Sequence, residues 1–321
     1  MDLDVTNIEN LIRKRRERES ALAEDRRRAL YTEFPELKDL DDQIRIGKAE
    51  ALLSIVENCG AAADHREWLS LERDRVDLLK RLGIPEDYDA PRAVCDKCRD
   101  SGWLSSERCS CFFDLLYPLI ARRGGLENNL DATFAMYTDA YYSHPEKMAA
   151  LKKMGELYAA GFPGQQDSLL FLGKPGTGKT YLALCIANAV AQRGVPVYFG
   201  RISKILDVMD RYRVGNLSFS PDPEWLRALE EERNWILDAD LLVIDEMGVE
   251  ARGMNTVSDI LEILSTRRMK NLATIITSNL LPEDLQKVYS NRIYSRLFGD
   301  FQVKVFPGED LRLHPKYRNR A

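Results

Sequence analysis

The sequence predicts an α/β protein: a parallel sheet flanked by helices, preceded by a segment that is helical throughout. Three short apolar runs, residues 169–172, 241–244 and 273–276, have the length and composition of strands buried on both faces. Stretches with helical spacing of apolar residues separate these runs, as parallel strands require. A glycine-rich loop, residues 173–178, joins the first predicted strand to a helix.

The composition fits such a chain and excludes several other classes. A chain of 321 residues with 45% hydrophobic content can bury one large core and a smaller module. The net charge of −5 argues against general polyanion binding, so any nucleic-acid contact needs a local basic patch. No stretch approaches the ~20 apolar residues of a membrane span, and no basic-then-apolar leader opens the chain. We therefore expect a cytoplasmic protein without a membrane partner.

Residues 6–82 predict three helices and no strand. Thr6-Asn7-Ile8-Glu9 matches a capping box that would open the first helix, and Pro35 would end it. The charged run 13–19 contains no apolar residue, so this turn is either a solvated face or a docking surface for a partner. The second and third helices are marked by apolar residues at helical spacing, Leu37, Leu40, Ile44, Leu52 and Ile55, then Trp68, Leu71, Leu78, Leu79 and Leu82.

Four of the six cysteines are clustered, at Cys95, Cys98, Cys109 and Cys111. Two thiolate pairs joined by a short loop suit tetrahedral Zn²⁺, and four cysteines leave no open coordination position, which indicates a structural site. Disulfides are one alternative, disfavoured in a reducing compartment. An iron–sulfur cluster held by the same ligands is another.

The loop after the first sheet strand predicts a phosphate-binding site. It reads Gly173-Lys174-Pro175-Gly176-Thr177-Gly178-Lys179-Thr180, a complete Walker A sequence, followed by Tyr181 in the predicted helix. The glycines allow consecutive N–H groups to point into one concavity, and the helix places its positive dipole end beneath the phosphates. Lys179 is expected to reach the β- and γ-phosphates of ATP, and Thr180 to ligate the bridging Mg²⁺.

The next two predicted sheet strands end in polar residues. One ends in Asp245-Glu246 and the other in Asn279, and the carboxyl ends of parallel strands are where ligands bind. Asp245 would hold Mg²⁺ through water, and Glu246 would polarise the attacking water as general base. A buried strand that merely ends in solvated acids is the alternative, which a preceding Walker A loop disfavours.

Walker A, the Asp-Glu pair and the strand ending in asparagine, in this order, resemble an AAA+ ATPase. The resemblance implies that Asn279 is sensor 1, which orients the attacking water. It also implies that residues 291–298 form an arginine-finger helix, with Arg296 the first candidate and Arg292 the second. Such a finger acts on a neighbouring subunit, so the resemblance implies self-association through the AAA+ domain and weak hydrolysis by a lone subunit. An ordinary surface ion pair is the alternative for either arginine.

The whole layout resembles bacterial replicative helicase loaders of the DnaC/DnaI type. The resemblance implies a helical helicase-interaction module over residues 1–90, a four-cysteine zinc knuckle over 91–125, and an AAA+ ATPase domain without a full C-terminal lid over 126–321. The implied partners are the hexameric DnaB-type helicase and single-stranded DNA, with ATP hydrolysis timing release. The implied cofactors are ATP, Mg²⁺ and Zn²⁺.

Further residues are candidates by this resemblance alone. Arg312 is the sensor 2 candidate, with a solvated tail arginine as the alternative. Thr133 and Phe134 are candidates for the adenine side of the site, or else a hydrophobic anchor for the linker. Two helical patterns lie between residues 201 and 240, where the basic residues that could neutralise phosphates of single-stranded DNA are Lys204, Arg211 and Arg213.

Two other functions stay open. A transposase-helper ATPase of the IstB type shares the same core, but such helpers usually have a shorter, cysteine-free amino-terminal region. A nucleotide-gated binding adaptor is the second alternative, in which hydrolysis is incidental. Glu246→Gln separates an ATPase from such an adaptor.

Overall fold

The computed structural model describes two compact units of the chain. They are Asp4–Cys111, the N-terminal unit, and Phe112–Ala321, the C-terminal unit. The residues described are 5–57, 66–138, 142–164, 167–251, 253 and 255–313, with the backbone alone for 52–57 and 66–67. Among them, no helix is both long enough and apolar enough to cross a membrane.

Three helices make up most of the N-terminal unit, as predicted: α1 (Val5–Glu33), α2 (Pro35–Glu57) and α3 (Arg66–Leu82). The break falls at Phe34 because proline cannot continue a helix but fits the first turn of the next. The helices share a buried core of Leu30, Leu37, Leu78 and Leu79. The capping box predicted at Thr6 is wrong, because Thr6 already lies inside α1. The side chains of Leu52 and Ile55 lie outside the described part.

The cysteine segment belongs to this same unit. Its two short strands, β1 (Trp103–Leu104) and β2 (Glu107–Arg108), pair as an antiparallel hairpin. Arg108 of this hairpin forms an ion pair with Glu9 of α1. The structural division falls between Cys111 and Phe112, whereas the predicted domain boundaries lie after residues 90 and 125.

The position of the division follows from the packing of α4 (Ser110–Arg123). The Tyr117 hydroxyl donates to Asn188 Oδ1 at 3.1 Å, in the C-terminal unit. Just beyond the helix, the Gly124 carbonyl accepts from Phe199 N at 2.7 Å. Most of α4 therefore packs with the C-terminal unit.

The C-terminal unit is built on one five-stranded parallel sheet. Its strands, in the spatial order β4-β5-β6-β3-β7, are β3 (Ser168–Leu172), β4 (Val197–Arg201), β5 (Leu241–Met247), β6 (Ala273–Ser278) and β7 (Phe301–Val305). Every neighbouring pair is parallel, so the predicted α/β class is confirmed. The three central strands are almost wholly buried, which explains why they read as continuous apolar runs.

Helices flank this sheet. After α4 they are α5 (Pro145–Gly161), α6 (Lys179–Ala191), α7 (Ile202–Leu217), α8 (Pro223–Asp238), α9 (Thr256–Met269), α10 (Pro282–Val288) and α11 (Asn291–Asp300). The two helical patterns predicted between residues 201 and 240 are α7 and α8. After β7, the described chain forms one 3-10 turn, Leu311–Leu313.

One buried arginine joins three elements of this unit. Arg267 of α9 is 1% exposed, although no motif identified it. Burial lowers its pKa to about 9, with Asp240 acting in the opposite direction. Its guanidinium donates to the Thr274 hydroxyl and to four main-chain carbonyls, those of Ile236, Leu237, Ala239 and Ala273. Arg267 thereby binds the carboxyl end of α8 and the start of β6.

Replacing Arg267 by Met is expected to destabilise the protein by about 3–5 kcal/mol. The carbonyls it serves lose their donors in a buried place, at about 1–3 kcal/mol for each group left unsatisfied, and such losses are not additive. Arg268→Met is the matched control, because its pair with Asp300 is exposed and contributes about 0–1 kcal/mol. Urea unfolding of both variants measures the difference. Equal midpoints would contradict this role for Arg267.

Candidate active site

A cavity of about 330 Å³ opens at the carboxyl ends of the central strands. Because β3, β6 and β5 are neighbours, the segments that leave these strands meet there. The Walker A residues from Pro175 to Tyr181 line it, together with Glu246, Thr277 and Asn279. This volume lies within the range of about 300–1,000 Å³ typical of small-molecule sites.

The phosphate-binding loop has the shape that its glycines were expected to permit. Gly176 and Gly178 have φ angles of 71° and 89°, which side-chain-bearing residues rarely adopt. A Cβ atom at Gly176 would collide with Asp310, and one at Gly178 with the Tyr142 hydroxyl. The Thr177 hydroxyl donates to the Lys174 carbonyl at 2.8 Å. The loop is therefore a narrow cradle that only glycine can line at these two positions.

Lys179 lies at the centre of the cradle. Its Nζ donates to the carbonyls of Gly173 and Lys174, both at 2.7 Å. Burial lowers the pKa of Lys179 to about 8, while the nearby Asp245 raises it. An anion in the cavity would stabilise the charged ammonium, because an opposite charge favours the ionised form.

The two predicted acids differ in their surroundings. Asp245 is 3% exposed, and its Oδ1 accepts hydrogen bonds from the hydroxyls of Thr180 and Thr277, both at 2.7 Å. The side chain of Glu246 is 42% exposed and lies 3.5 Å from Arg201 Nε. Asn279 lines the cavity. Lys179, Thr180, Asp245, Glu246 and Asn279, which are far apart along the chain, therefore meet at one site.

The wall beyond the phosphate loop is aromatic. It is lined by Met136, Tyr137, Thr138, Tyr142 and Tyr181. The Tyr137 ring lies 6.2 Å from that of Tyr142 and 5.9 Å from that of Tyr181, centroid to centroid. Such a wall suits the flat face of a nucleobase.

Thr133 and Phe134 do not line the cavity. The Thr133 hydroxyl accepts from Met136 N, and the Phe134 ring lies against Gly155 of α5. Phe134 thus has the anchoring position that the sequence analysis kept as the alternative. The aromatic wall begins two residues further along the chain.

The three candidate arginines have different positions. Arg312 lines the cavity, and its guanidinium donates two hydrogen bonds to Asp310, at 2.8 Å from Nε and 2.6 Å from Nη2. Leu311 N donates to the Gly176 carbonyl, so this segment lies directly on the phosphate loop. Arg292 and Arg296 are on α11, do not line the cavity, and form no ion pair within the described residues.

The basic residues predicted to contact DNA are paired with acids on the protein. Lys204 lies 3.4 Å from Glu232 and Arg211 lies 3.5 Å from Asp207. Arg213 pairs with Asp210 and with the buried Asp259, which connects α7 to α9. A phosphate would have to compete with these carboxylates.

In the N-terminal unit, the four clustered cysteines converge. The sulfurs of Cys95, Cys98, Cys109 and Cys111 lie within 4.8 Å of one another, and two of their separations are 3.7 and 3.5 Å. Tetrahedral zinc with bonds of about 2.3 Å separates its sulfurs by about 3.8 Å, so the cluster fits one metal ion. Disulfide bonds do not, because bonded sulfurs lie about 2.0 Å apart.

Asp100, in the turn after the first cysteine pair, has a role in this knuckle that was not predicted. The Asp100 carboxylate accepts from Val94 N at 2.8 Å and Cys95 N at 3.0 Å, and Asp100 is 5% exposed. It orders the chain that carries the first cysteine pair. The available signal was an aspartate in the turn directly after that pair.

Comparison with known proteins agrees with the site. The family model described as "IstB-like ATP binding protein" matches residues 135–300. The replicative helicase loader DnaC of Escherichia coli K12 is 32% identical over 152 residues, which cover 47% of this chain and 58% of that protein. The putative ATP-binding protein of insertion sequence IS5376, from Geobacillus stearothermophilus, is 29% identical over 170 residues, covering 51% of this chain and 63% of that protein.

Among solved structures, that of the DnaC helicase loader aligns with a TM-score of 0.42 and 22% identity, over 50% of this chain and 90% of that chain. The match to the Escherichia coli loader and the match to the insertion-sequence protein each cover less than two thirds of that protein's own length. The family match begins at residue 135, just before the aromatic wall, and extends through Walker A and Walker B to the end of α11 at residue 300. The chain therefore belongs to the family of IstB-like ATP-binding proteins.

Proposed function

We propose that this protein is an ATPase that acts on the hexameric replicative helicase and on single-stranded DNA at the initiation of DNA replication. The observation that carries the proposal is that Lys179, Thr180, Glu246 and Asn279 line one cavity in a member of this ATP-binding family. The buried Asp245 joins them by accepting a hydrogen bond from Thr180. The similarity to a helicase loader of Escherichia coli supports the choice of partner. The cytoplasm, where such a partner works, is part of the proposal.

Each residue of the site has a separate role in the proposed hydrolysis of ATP. Lys179, with the main-chain N–H groups of the glycine loop, binds the phosphates, and Thr180 and Asp245 hold the metal. Glu246 accepts a proton from the attacking water, and Asn279 orients that water. Bound ATP and Mg²⁺ supply the transferable phosphoryl group and the cation that neutralises its developing charge. The fit of the site to them is supported by the two glycines of the cradle, where any side chain would collide.

Completion of the site requires a second subunit. Arg312 faces its own subunit's cavity, whereas Arg292 and Arg296 do not line it. Both sit on α11, with Arg292 exposed and Arg296 half-buried. In the proposal, Arg296, or else Arg292, reaches the nucleotide of a neighbouring subunit, and self-association through the AAA+ domain brings it there. A lone subunit then hydrolyses slowly, because such an arginine contributes about 10³–10⁵ in turnover.

The N-terminal unit grips the helicase in this proposal. Its three helices have their own core and leave the charged run 13–19 of α1 largely in solvent. The four cysteines hold one structural Zn²⁺, supported by the sulfur separations. A cluster of several irons would spread its cysteine ligands over separate metal atoms, which suits this compact arrangement less well than a single ion.

One other function is favoured by a specific observation. The similarity to the insertion-sequence protein of Geobacillus stearothermophilus supports a role as a transposase helper. That role would use the same cavity with a different partner. The cysteine knuckle and the three helices before it favour the helicase.

Native mass spectrometry with the replicative helicase of the same host tests the proposal. We expect a defined complex with the helicase hexamer, which forms with ATP and disappears when residues 1–111, the N-terminal unit, are removed. The same measurement with the cognate transposase is the control for the alternative. A complex with the transposase and none with the helicase, in any nucleotide state, would assign the protein to transposition.

A further inference from the structure

The two acids of the site face a single residue of the neighbouring strand. Strands β5 and β6 pair Ile244 with Ile276, and then Met247 with Ser278. Between these pairs, β5 has Asp245 and Glu246, whereas β6 has Thr277 alone. This is a β-bulge, which is rare between parallel strands and often lies beside an active site, where it re-aims a side chain.

The bulge explains how two consecutive acids belong to one site, in which Glu246 lines the cavity and Asp245 binds the cavity-lining Thr180. In a regular strand, successive side chains point to opposite faces of the sheet, so Asp245 and Glu246 would diverge. Glu246 instead has a φ angle of 59°, in the left-handed region that costs about 1–3 kcal/mol for residues other than glycine. Such a conformation persists only where the surroundings hold it in place.

The Thr277 hydroxyl supplies that hold. Glu246 N donates to Thr277 Oγ1 at 3.0 Å, so a side-chain oxygen accepts this main-chain N–H within the bulge. The same Oγ1 donates to Asp245 Oδ1 at 2.7 Å. A hydroxyl has one hydrogen to donate and lone pairs to accept, so both bonds form at once and their directions are dictated.

Burial makes this arrangement specific. Thr277 is 1% exposed and Asp245 is 3% exposed, so water competes poorly for these bonds. Thr180 donates to the same carboxylate oxygen, but its hydroxyl is also the expected metal ligand. If Thr180 were to ligate a metal ion instead, the Thr277 hydroxyl would still donate to Asp245.

From this geometry we infer that Thr277 is a positioning residue for hydrolysis: its hydroxyl fixes the metal-holding Asp245 and the general base Glu246 relative to each other. The inference rests on the proposed ATPase function. In this role Thr277 does not touch the reacting atoms. Its hydroxyl acts by orienting the carboxylates of Asp245 and Glu246.

Thr277→Val and Thr277→Ser in the full-length protein test the inference. Valine keeps the shape and removes the hydroxyl, whereas serine keeps the hydroxyl. For valine we expect kcat to fall about 10- to 100-fold and the Mg²⁺ concentration for half-maximal binding of a fluorescent ATP analogue to rise about tenfold, the usual range for residues that orient metal ligands. The affinity for the analogue without Mg²⁺ should stay within about threefold of that of the unchanged protein. The serine variant should restore both kcat and the Mg²⁺ concentration for half-maximal binding.

Thr274→Val is the matched control on the same strand. Thr274 is 2% exposed, and its hydroxyl accepts a bond from Arg267, away from the cavity. This variant should lose stability while keeping kcat and the Mg²⁺ dependence. A general loss of packing would affect both valine variants alike, so equal changes in the two would overturn the inference.

The other outcomes also separate the inference from the proposed function. If Thr277→Val has the same kcat and the same Mg²⁺ dependence as the unchanged protein, the inference is overturned while the proposed function stands. A serine variant as impaired as the valine variant does so too, because the hydroxyl would then not matter. If the unchanged protein hydrolyses ATP but does not bind the helicase, the proposed function fails in its partner, while a lower kcat and a higher Mg²⁺ requirement in Thr277→Val still support the inference.

Discussion

Glu246→Gln is expected to lower ATP turnover by about 10²- to 10⁴-fold while ATP still binds, the range for loss of a general base. Glutamine has the shape of glutamate but cannot take a proton from water. The groups that bind the nucleotide, Lys179 and the main-chain N–H groups of the loop, are unchanged. In the proposed function, the variant should also remain bound to the helicase in ATP, because hydrolysis no longer times its release.

Single-turnover hydrolysis, analogue affinity and the lifetime of the helicase complex measure this result. Lys179→Ala is the contrasting variant, since it removes the cation that binds the phosphates and should abolish nucleotide binding itself. If the Glu246→Gln variant hydrolyses ATP as fast as the unchanged protein, another group must take the proton from the attacking water. Loss of hydrolysis with normal release from the helicase would favour a nucleotide-gated adaptor.

If the four cysteines hold zinc, as proposed, its removal is expected to unfold residues 94–111, the part of the knuckle that carries them, and to leave the ATPase site intact. Structural zinc in small modules is bound with about 10–16 kcal/mol, and that binding energy is also folding energy. The hairpin β1–β2 is too small to hold together without it. The three helices have a separate leucine core, and the ATPase site lies in the other unit, so both should persist.

Metal content, hydrogen exchange and ATP-analogue binding, each before and after chelation, test this prediction. We expect one zinc per chain, loss of exchange protection in residues 94–111 and unchanged analogue affinity. Cys98→Ser should reproduce the effect of the chelator. Cys185→Ala is the control, because Cys185 is a buried thiol of α6 and its loss should leave the zinc content unchanged. Substoichiometric zinc together with normal hydrogen-exchange protection would show that the knuckle needs no metal. One iron per chain would show that the cysteines bind iron instead of zinc.

Much of the nucleotide site was predictable because its parts are local. A glycine loop between a strand and a helix needs particular residue types at particular spacings, and Gly176 and Gly178 adopt the backbone angles that required them. Strands β5 and β6 could be predicted because strands buried on both faces are continuous apolar runs, although β5 continues to Met247, beyond its two acids. The order of the motifs then led to the correct fold class.

The errors and omissions concern contacts between segments distant in sequence. The capping-box pattern at Thr6 is short and polar, and such a pattern also occurs inside a helix. Thr133 and Phe134 were candidates for the adenine side, with a hydrophobic anchor as the alternative, because a resemblance indicates a segment and not the residues of it that line the cavity. Asp310 lies on the phosphate loop although 134 positions separate it from Gly176, and no local pattern predicts that approach.

The sequence by itself determined the class of the sheet, the phosphate loop, the two acids and the four candidate metal ligands. Only the tertiary structure decided that Arg267 is buried among carbonyls, and that Asp245 and Glu246 both face Thr277. The physical reason is that the alternation of side chains along one strand depends only on the residues of that strand. The register between two strands, and with it the bulge, depends on which residues of each strand lie opposite one another after folding.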